Sequence, residues 1–325
     1  MRAAVHSTFA NPAEVLTIEE RPMPEPGPGE VRVKMVMSSI HNHDLLTVSG
    51  EYGYKPELPA IAGSEAMGTI DALGEGVQGF EIGQRIAASG LRGAWAEYFI
   101  ANAGSIVPLP DAIDDETAAQ LISMPLSALA LLDFLDVKPG QWIIQNAATG
   151  AVAKTVAMIA KVRGISVINV VRRPEAVAEL SAVGIDKTVS TASEDWMDQV
   201  RAIAGDNPIV AAVDGVGGQE SGDLTSLLGD GGTLVSFGVM SGKALKLAAG
   251  DLIFKQVHVK GFWLAKIMQT TSRETFGKWI GELISLVVKG DVRLQSGGVF
   301  ALDDIRKAAA ASAEPGRTGK ILIRA

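Results

Sequence analysis

WIIQNAATGAVAKTVAMIAKVRGISVINVVRR, residues 142–173, reads as strand, small-residue turn, helix and second strand in one uninterrupted unit. WIIQNA (142–147) is a short apolar run of strand length. GAVAKTVAMIAKVRG (150–164) places apolar residues three and four apart, as on one face of a helix, and closes on glycine. SVINVV (166–171) is rich in β-branched residues, which favour strands. A strand–helix–strand unit crosses over right-handedly and builds a parallel sheet, so this stretch predicts a doubly wound α/β domain.

The turn within it carries the chemistry. Ala147, Gly150 and Ala153 form an A-x-x-G-x-x-A pattern between strand and helix. Small residues let the backbone N–H groups of Thr149, Gly150, Ala151 and Val152 approach a pyrophosphate, and the helix adds its positive dipole end. The glycine pattern alone is a weak signal, because a tight turn without ligand would use the same residues. The end of the second strand is more specific. A dinucleotide site of the NAD type has an acid roughly 20 residues past the glycines, on the ribose 2′-OH. Here the strand runs into Arg172 and Arg173, with no acid. Guanidinium groups pair with a 2′-phosphate where a carboxylate would repel it, and each such contact is worth about 1.5–3 kcal/mol. The plainer reading is two solvated arginines, but the dipole disfavours cations at a helix start. The unit therefore predicts NADPH.

The pattern continues downstream. PEAVAELSAVG (174–184) is a helix with Pro at its start, TVS (188–190), IVAAVDG (209–215) and GTLVSFG (232–238) are strands, and HVKGFWL (258–264) is one more. SRETFGKWIGELISLVVKG (272–290) is a long amphipathic helix. Upstream, DETAAQLISMPLSALALLDFL (115–135) is helical, with Pro125 breaking or kinking it. Earlier still, VRVKMVMSSI (31–40), GTIDALG (68–74), RIAASG (85–90) and WAEYFIA (95–101) read as strands of a small antiparallel barrel. The first 20 residues read as a strand, a turn at Asn11-Pro12 and a second strand. The closing KILIRA (320–325) is a strand that rejoins the first domain. The expected division is one domain from 1–116 with 292–325, and a nucleotide domain at 117–291.

Bulk properties narrow the function. The 325 residues carry a net charge of −8, which sets them against a broad nucleic-acid surface. No apolar run reaches the roughly 20 residues of a membrane span. The first residues lack the pattern of a signal peptide, so the expected location is cytoplasmic. There is no cysteine, which excludes disulfides, thiolate catalysis and Cys-ligated zinc or iron–sulfur sites.

The order of barrel, nucleotide domain and returning tail resembles the medium-chain dehydrogenase/reductase superfamily over the whole chain. GEYGYKPELP (50–59), QNAATGAVAK (145–154), INVVRR (168–173) and LIFKQVHVKGFWL (252–264) are similar to its zinc-free 2-enoyl thioester reductase branch. The resemblance implies a Rossmann sheet beside a GroES-like antiparallel barrel, with the active site in the cleft, and a homodimer. Zinc enzymes of the superfamily take ligands from C-x-x-D and G-H-E stretches. Here those places look like His41-Asn42-His43-Asp44 and Gly63-Ser64-Glu65. These side chains either bond one another or form a residual metal site, the former being expected and no metal assigned. In the branch the catalytic tyrosine lies in G-x-Y-x-x-x-P, which Tyr52 matches with Gly50 and Pro56; Tyr54 is the fallback. Its cofactor contacts carry over to Thr149–Val152, to Arg172 and Arg173, to Phe237, Gly238 and Met240, to Phe262, Trp263 and Leu264, and to Lys320. The chain departs from the branch at Ala151 and Ala153, where glycines are usual, and at Met124, in place of an asparagine.

The resemblance implies hydride transfer from NADPH to the C=C bond of a 2-enoyl thioester on coenzyme A or acyl carrier protein, without metal. A tyrosine hydroxyl suits this chemistry, because it donates to charge developing on the thioester oxygen or supplies the proton to Cα. A quinone or α,β-unsaturated carbonyl reductase on the same scaffold is the alternative. A zinc-type alcohol dehydrogenase and an NADPH-binding protein without turnover stand behind both.

Overall fold

Strand pairing sorts the protein into two units in the computed structural model, which describes residues 1–325. Met1–Met124 with Arg293–Ala325 form one, and Pro125–Val292 the other.

The second unit holds a six-stranded, wholly parallel sheet. Its order is Thr188–Ser190, Ser166–Val171, Trp142–Gln145, Ile209–Asp214, Thr233–Ser236 and His258–Gly261. The chain enters at the centre, winds outward to one side, returns, and winds to the other. The strand order therefore reverses between Trp142–Gln145 and Ile209–Asp214, where open α/β sheets bind their ligands at the carboxyl edge. The central strands read as continuous apolar runs because both faces are covered, and Ile144, Ile168, Ala212 and Leu234 are all fully buried. Helix Ala151–Val162 buries one face through Val156, Ile159 and Ala160.

The first unit has a seven-stranded sheet running Ser296–Ala301, Lys320–Arg324, Glu30–Ser39, Glu65–Leu73, Arg85–Ser89 and Val107–Pro108, with Tyr98–Asn102 also on Glu30–Ser39. All of its pairs are antiparallel except the two tail strands. A three-stranded sheet joins Thr17–Glu20, Arg2–His6 and Ala60–Ile61. The core includes Trp95, lying against Gly63, where an added Cβ would fall 2.3 Å from the indole. KILIRA rejoins this unit as expected, with Leu322 opposite Ser39.

Several elements differ from the sequence reading. The helical run 115–135 breaks before Pro125, into Asp115–Ala118 and Ser123–Leu135. Pro125 sits in the first turn, where its missing N–H has no intrahelical acceptor to serve. The Asn11-Pro12 turn is a one-turn helix, Pro12–Val15, capped by the Asn11 side chain on Ala13 N. HVKGFWL stays extended only to Gly261 and becomes helix Leu264–Met268. Helix Asn42–Ser49, strand Ser296–Ala301 and helix Ile305–Ala313 add to that reading. The first unit runs on to Met124 because Glu65 in its sheet accepts the backbone N–H of Ile122 and of Ser123. No helix is long and apolar enough to cross a membrane.

Candidate active site

In the second unit the small-residue turn takes a sharp path. Ala147 adopts φ 48, a left-handed conformation that needs support from its surroundings, and Gly150 N donates back to Ala147 O at 2.9 Å. A Cβ on Gly150 would meet that carbonyl at 3.1 Å. Gly150 then caps helix Ala151–Val162 without a side-chain bond, which leaves first-turn N–H groups open to an anion. Thr149 and Gly150 are exposed and Ala151 is half-buried. Val152 is buried, so only its backbone is available to a ligand.

Strand Ser166–Val171 delivers Arg172 to the surface, where it makes no ion pair. Arg173 is already engaged: its Nη2 lies 2.9 Å from Glu179 Oε2. The two arginines are therefore not equivalent, and Arg172 holds the open cationic position. Phe237 and Gly238 are half-buried, Met240 is exposed, and Phe262 is buried with its ring 6.0 Å from that of Phe237. Trp263 is exposed and begins helix Leu264–Met268. These residues have the form of an anion site: the helix start is open, and the adjacent strand ends in an unpaired guanidinium.

In the first unit Tyr52 is set by the end of helix Asn42–Ser49. Gly50 closes that helix at φ 81, and Glu51 N and Tyr52 N both donate to Leu46 O. Gly50 also packs against Phe9, whose Cβ would lie 2.9 Å from an added Cβ. Tyr52 is half-buried and its ring lies 5.6 Å from that of His43, which stacks on His41 at 5.1 Å. Tyr54 is exposed, with Arg92 over its ring.

Behind this stack lies a buried polar network. His41 Nε2 and Glu65 Oε2 share a 2.6 Å hydrogen bond, and Ser39 Oγ lies 2.9 Å from the same nitrogen. Glu65 Oε1 accepts from Ile122 N at 2.7 Å and Ser123 N at 3.1 Å. Asp44 accepts from His41 N at 2.8 Å, and His43 Nε2 meets Ser64 Oγ at 2.7 Å. The sequence resemblance implies a metal at these places in the zinc-dependent members. The residues present do not fit one: no three His, Asp or Glu side chains converge, and both Glu65 oxygens are committed to protein donors. Lys320 is buried in the same unit, with Nζ 3.5 Å from Ile40 O.

Burial raises the Glu65 carboxyl from its usual 4.5 to about 7, despite the two backbone donors that oppose the rise. Burial, with Lys320 second, holds His41 well below the usual imidazole value. A carboxyl raised on folding contributes its full stability below the unfolded value and loses it as pH rises through the folded one. Glu65→Gln removes that titration. The thermal midpoint of the variant minus that of the wild type should climb from about pH 5 to about pH 8, by the equivalent of roughly 3 kcal/mol. A difference that stays flat across that range would rule out the raised Glu65 carboxyl.

The expected bonding of His41 with Glu65 and Asp44 is present, but the sequence reading missed the backbone donors Ile122 and Ser123 on Glu65, and it missed the loop after strand Ile209–Asp214. The glycine run in VDGVGG (213–218), directly after an apolar strand, was the available signal.

Comparison with known proteins extends over both units. Residues 151–282 match the zinc-binding dehydrogenase family and residues 27–111 the alcohol dehydrogenase GroES-like domain. The chain is 32% identical over 323 residues to the mitochondrial enoyl-acyl-carrier-protein reductase of Rattus norvegicus, covering 97% of this chain and 86% of the relative. Among solved structures, the quinone oxidoreductase of Escherichia coli, complexed with NADPH, matches with a TM-score of 0.91 at 25% identity, covering 100% of both chains. That of Pseudomonas syringae pv. Tomato DC3000 matches with a TM-score of 0.89 at 27% identity, again over 100% of both.

Proposed function

The chain belongs to the zinc-free enoyl thioester reductase branch of the medium-chain dehydrogenase/reductase superfamily, and from that premise we propose that it reduces the C=C bond of a 2-enoyl thioester with NADPH. The observation that carries the cofactor assignment is the strand Ser166–Val171 ending in an exposed, unpaired Arg172 with no acid beside it. Bound NADPH supplies the hydride that reduces Cβ of the enoyl group.

The chain's own residues do the rest. The N–H groups of Thr149–Val152 and the dipole of helix Ala151–Val162 hold the pyrophosphate, and Arg172 pairs with the 2′-phosphate. Phe237, Gly238 and Met240, with Phe262, Trp263 and Leu264, line the rest of the cofactor. Tyr52 is the proton donor. Its hydroxyl donates to the thioester oxygen as charge develops there, or passes its proton to Cα, and water then restores it. The half-buried ring, braced against His43, limits the orientations the hydroxyl takes. Lys320 belongs to this reading as a cation that acts through charge, given its burial beside His41.

NADPH oxidation in the presence of crotonyl-CoA tests the assignment. Turnover with quinones or free enones, and none with the thioester, would reverse it. That second reading has its own support in the full-length likeness to quinone oxidoreductases.

Two further elements belong to the proposal. One is a homodimer formed along the edge strand His258–Gly261, which pairs only with Thr233–Ser236 and is exposed at all four residues. Val259 on that strand and the preceding Ile253 and Phe254 are exposed apolar side chains, which a second copy would cover. Val259→Asp should shift the protein from dimer to monomer in light scattering. A wild-type monomer at micromolar concentration would remove this element. The other is residence in the cytoplasm, which cell fractionation checks directly.

A further inference from the structure

Asp214 ends the strand Ile209–Asp214 as a fully buried carboxylate, and it has no cationic partner. A buried charge is costly unless donors surround it, and four do. Asn146 Nδ2 donates to Oδ1 at 2.7 Å, Val216 N at 2.9 Å and Gly217 N at 3.0 Å, while Ser221 Oγ donates to Oδ2 at 2.5 Å. Asn146 completes a circuit by accepting from Gly215 N at 2.7 Å. The backbone carbonyl of Asp214 accepts from Phe237 N at 2.8 Å and Gly238 N at 3.2 Å.

Three loops at the carboxyl edge of the sheet thus share one anchor: the small-residue turn after Gln145, the glycine turn 215–218 and the turn at Phe237. The coupling between them is tight. Gly217 and Gly218 have φ 77 and 72, which other residues rarely adopt. A Cβ on Gly238 would lie 2.9 Å from Gly215 O, so the second and third loops touch through backbone. Asn146 directly precedes Ala147, whose left-handed conformation needs outside support.

We propose that Asp214 is a positioning residue for the cofactor, clamping the nucleotide loop in its binding shape through Asn146. This rests on the NADPH reading above. A carboxylate is the side chain suited to the task, because it accepts from several N–H groups at once and donates to none.

The test measures NADPH affinity from nicotinamide fluorescence, thermal midpoint, and kcat at saturating NADPH. Asp214→Asn and Asn146→Ala should each raise the NADPH Kd about 10- to 100-fold, the cost of charge-assisted hydrogen bonds, with kcat at saturation held within about threefold. Ser221→Ala removes a donor on helix Gln219–Leu227 and none of the links between loops. It should lower the thermal midpoint while leaving Kd within about twofold. A Kd that tracks thermal midpoint across all three variants would reduce Asp214 to a fold-stabilising residue and overturn the proposal. An unchanged Kd in Asp214→Asn, with wild-type binding intact, would do the same. Should Asp214→Asn fail to fold, Asn146→Ala decides the matter. Wild-type protein with no affinity for NADPH would overturn the cofactor reading and the clamp together.

Discussion

Replacing Arg172 with alanine is expected to cut kcat/KM for NADPH by about one to two orders of magnitude, the worth of a charge-assisted contact to phosphate, while NADH turnover stays nearly constant. The selectivity of this effect follows from what the guanidinium would touch. NADH lacks the 2′-phosphate, so removing its partner costs NADH little. Arg173→Ala should do less, because Arg173 already holds Glu179 at 2.9 Å and lies 4.0 Å from Glu175. Such a pair must be loosened before the arginine can serve a second anion. The ratio of the two kcat/KM values, measured for both variants, reads the distinction. An unchanged NADPH-to-NADH ratio in Arg172→Ala would sink the assignment of the 2′-phosphate to this strand end.

The second large effect concerns Tyr52. Tyr52→Phe should lower kcat with an enoyl thioester by about 100- to 10,000-fold, the usual worth of a positioned general acid. NADPH binding should be spared, since the phenylalanine keeps the ring contact with His43 and both backbone bonds to Leu46 O. Tyr54→Phe is the control. Tyr54 is exposed and its ring is occupied by Arg92, so a loss of only a few-fold is expected there. Wild-type rates in both variants would remove tyrosine from the chemistry, and a loss confined to Tyr54→Phe would move the role to that residue.

Much of the nucleotide unit was legible because its information is local. Ile143, Ile144, Val167 and Ile168 announce strands covered on both faces, and Ala147, Gly150 and Ala153 announce a turn, all within 30 residues of Arg172. Arg172 and Arg173 looked alike in the sequence, and only the fold showed that Glu179 claims one of them. The network around Glu65 was legible only in part, as bonding among His41, Asp44 and Glu65. Its partners His41, Ile122 and Ser123 lie 24, 57 and 58 residues away, and two of the three donate through backbone, which no side-chain pattern records. Helix Asn42–Ser49 escaped notice because His43, Asp44, Thr47 and Ser49 interrupt its apolar positions. Asp214 was hidden by its strand: after IVAAV it looked like the first polar residue of a turn, yet it is as buried as the residues before it.

The returning tail strand Lys320–Arg324 sets an order of events during synthesis. It fills the place beside Glu30–Ser39 in the first unit's sheet, with Leu322 against Ser39 and Arg324 against Met37. A chain leaving the ribosome exposes residues 37–39 early, yet their tail partners emerge only after residues 125–292 have been made. The unit 125–292 is contiguous in sequence, so it can close on itself while the nascent chain is still tethered. The sequence-distant pairing follows, and until then residues 37–39 keep an open edge, since Tyr98–Asn102 covers only residues 30–34; that short edge is exposed to chaperones and to mispairing with its neighbours on a polysome.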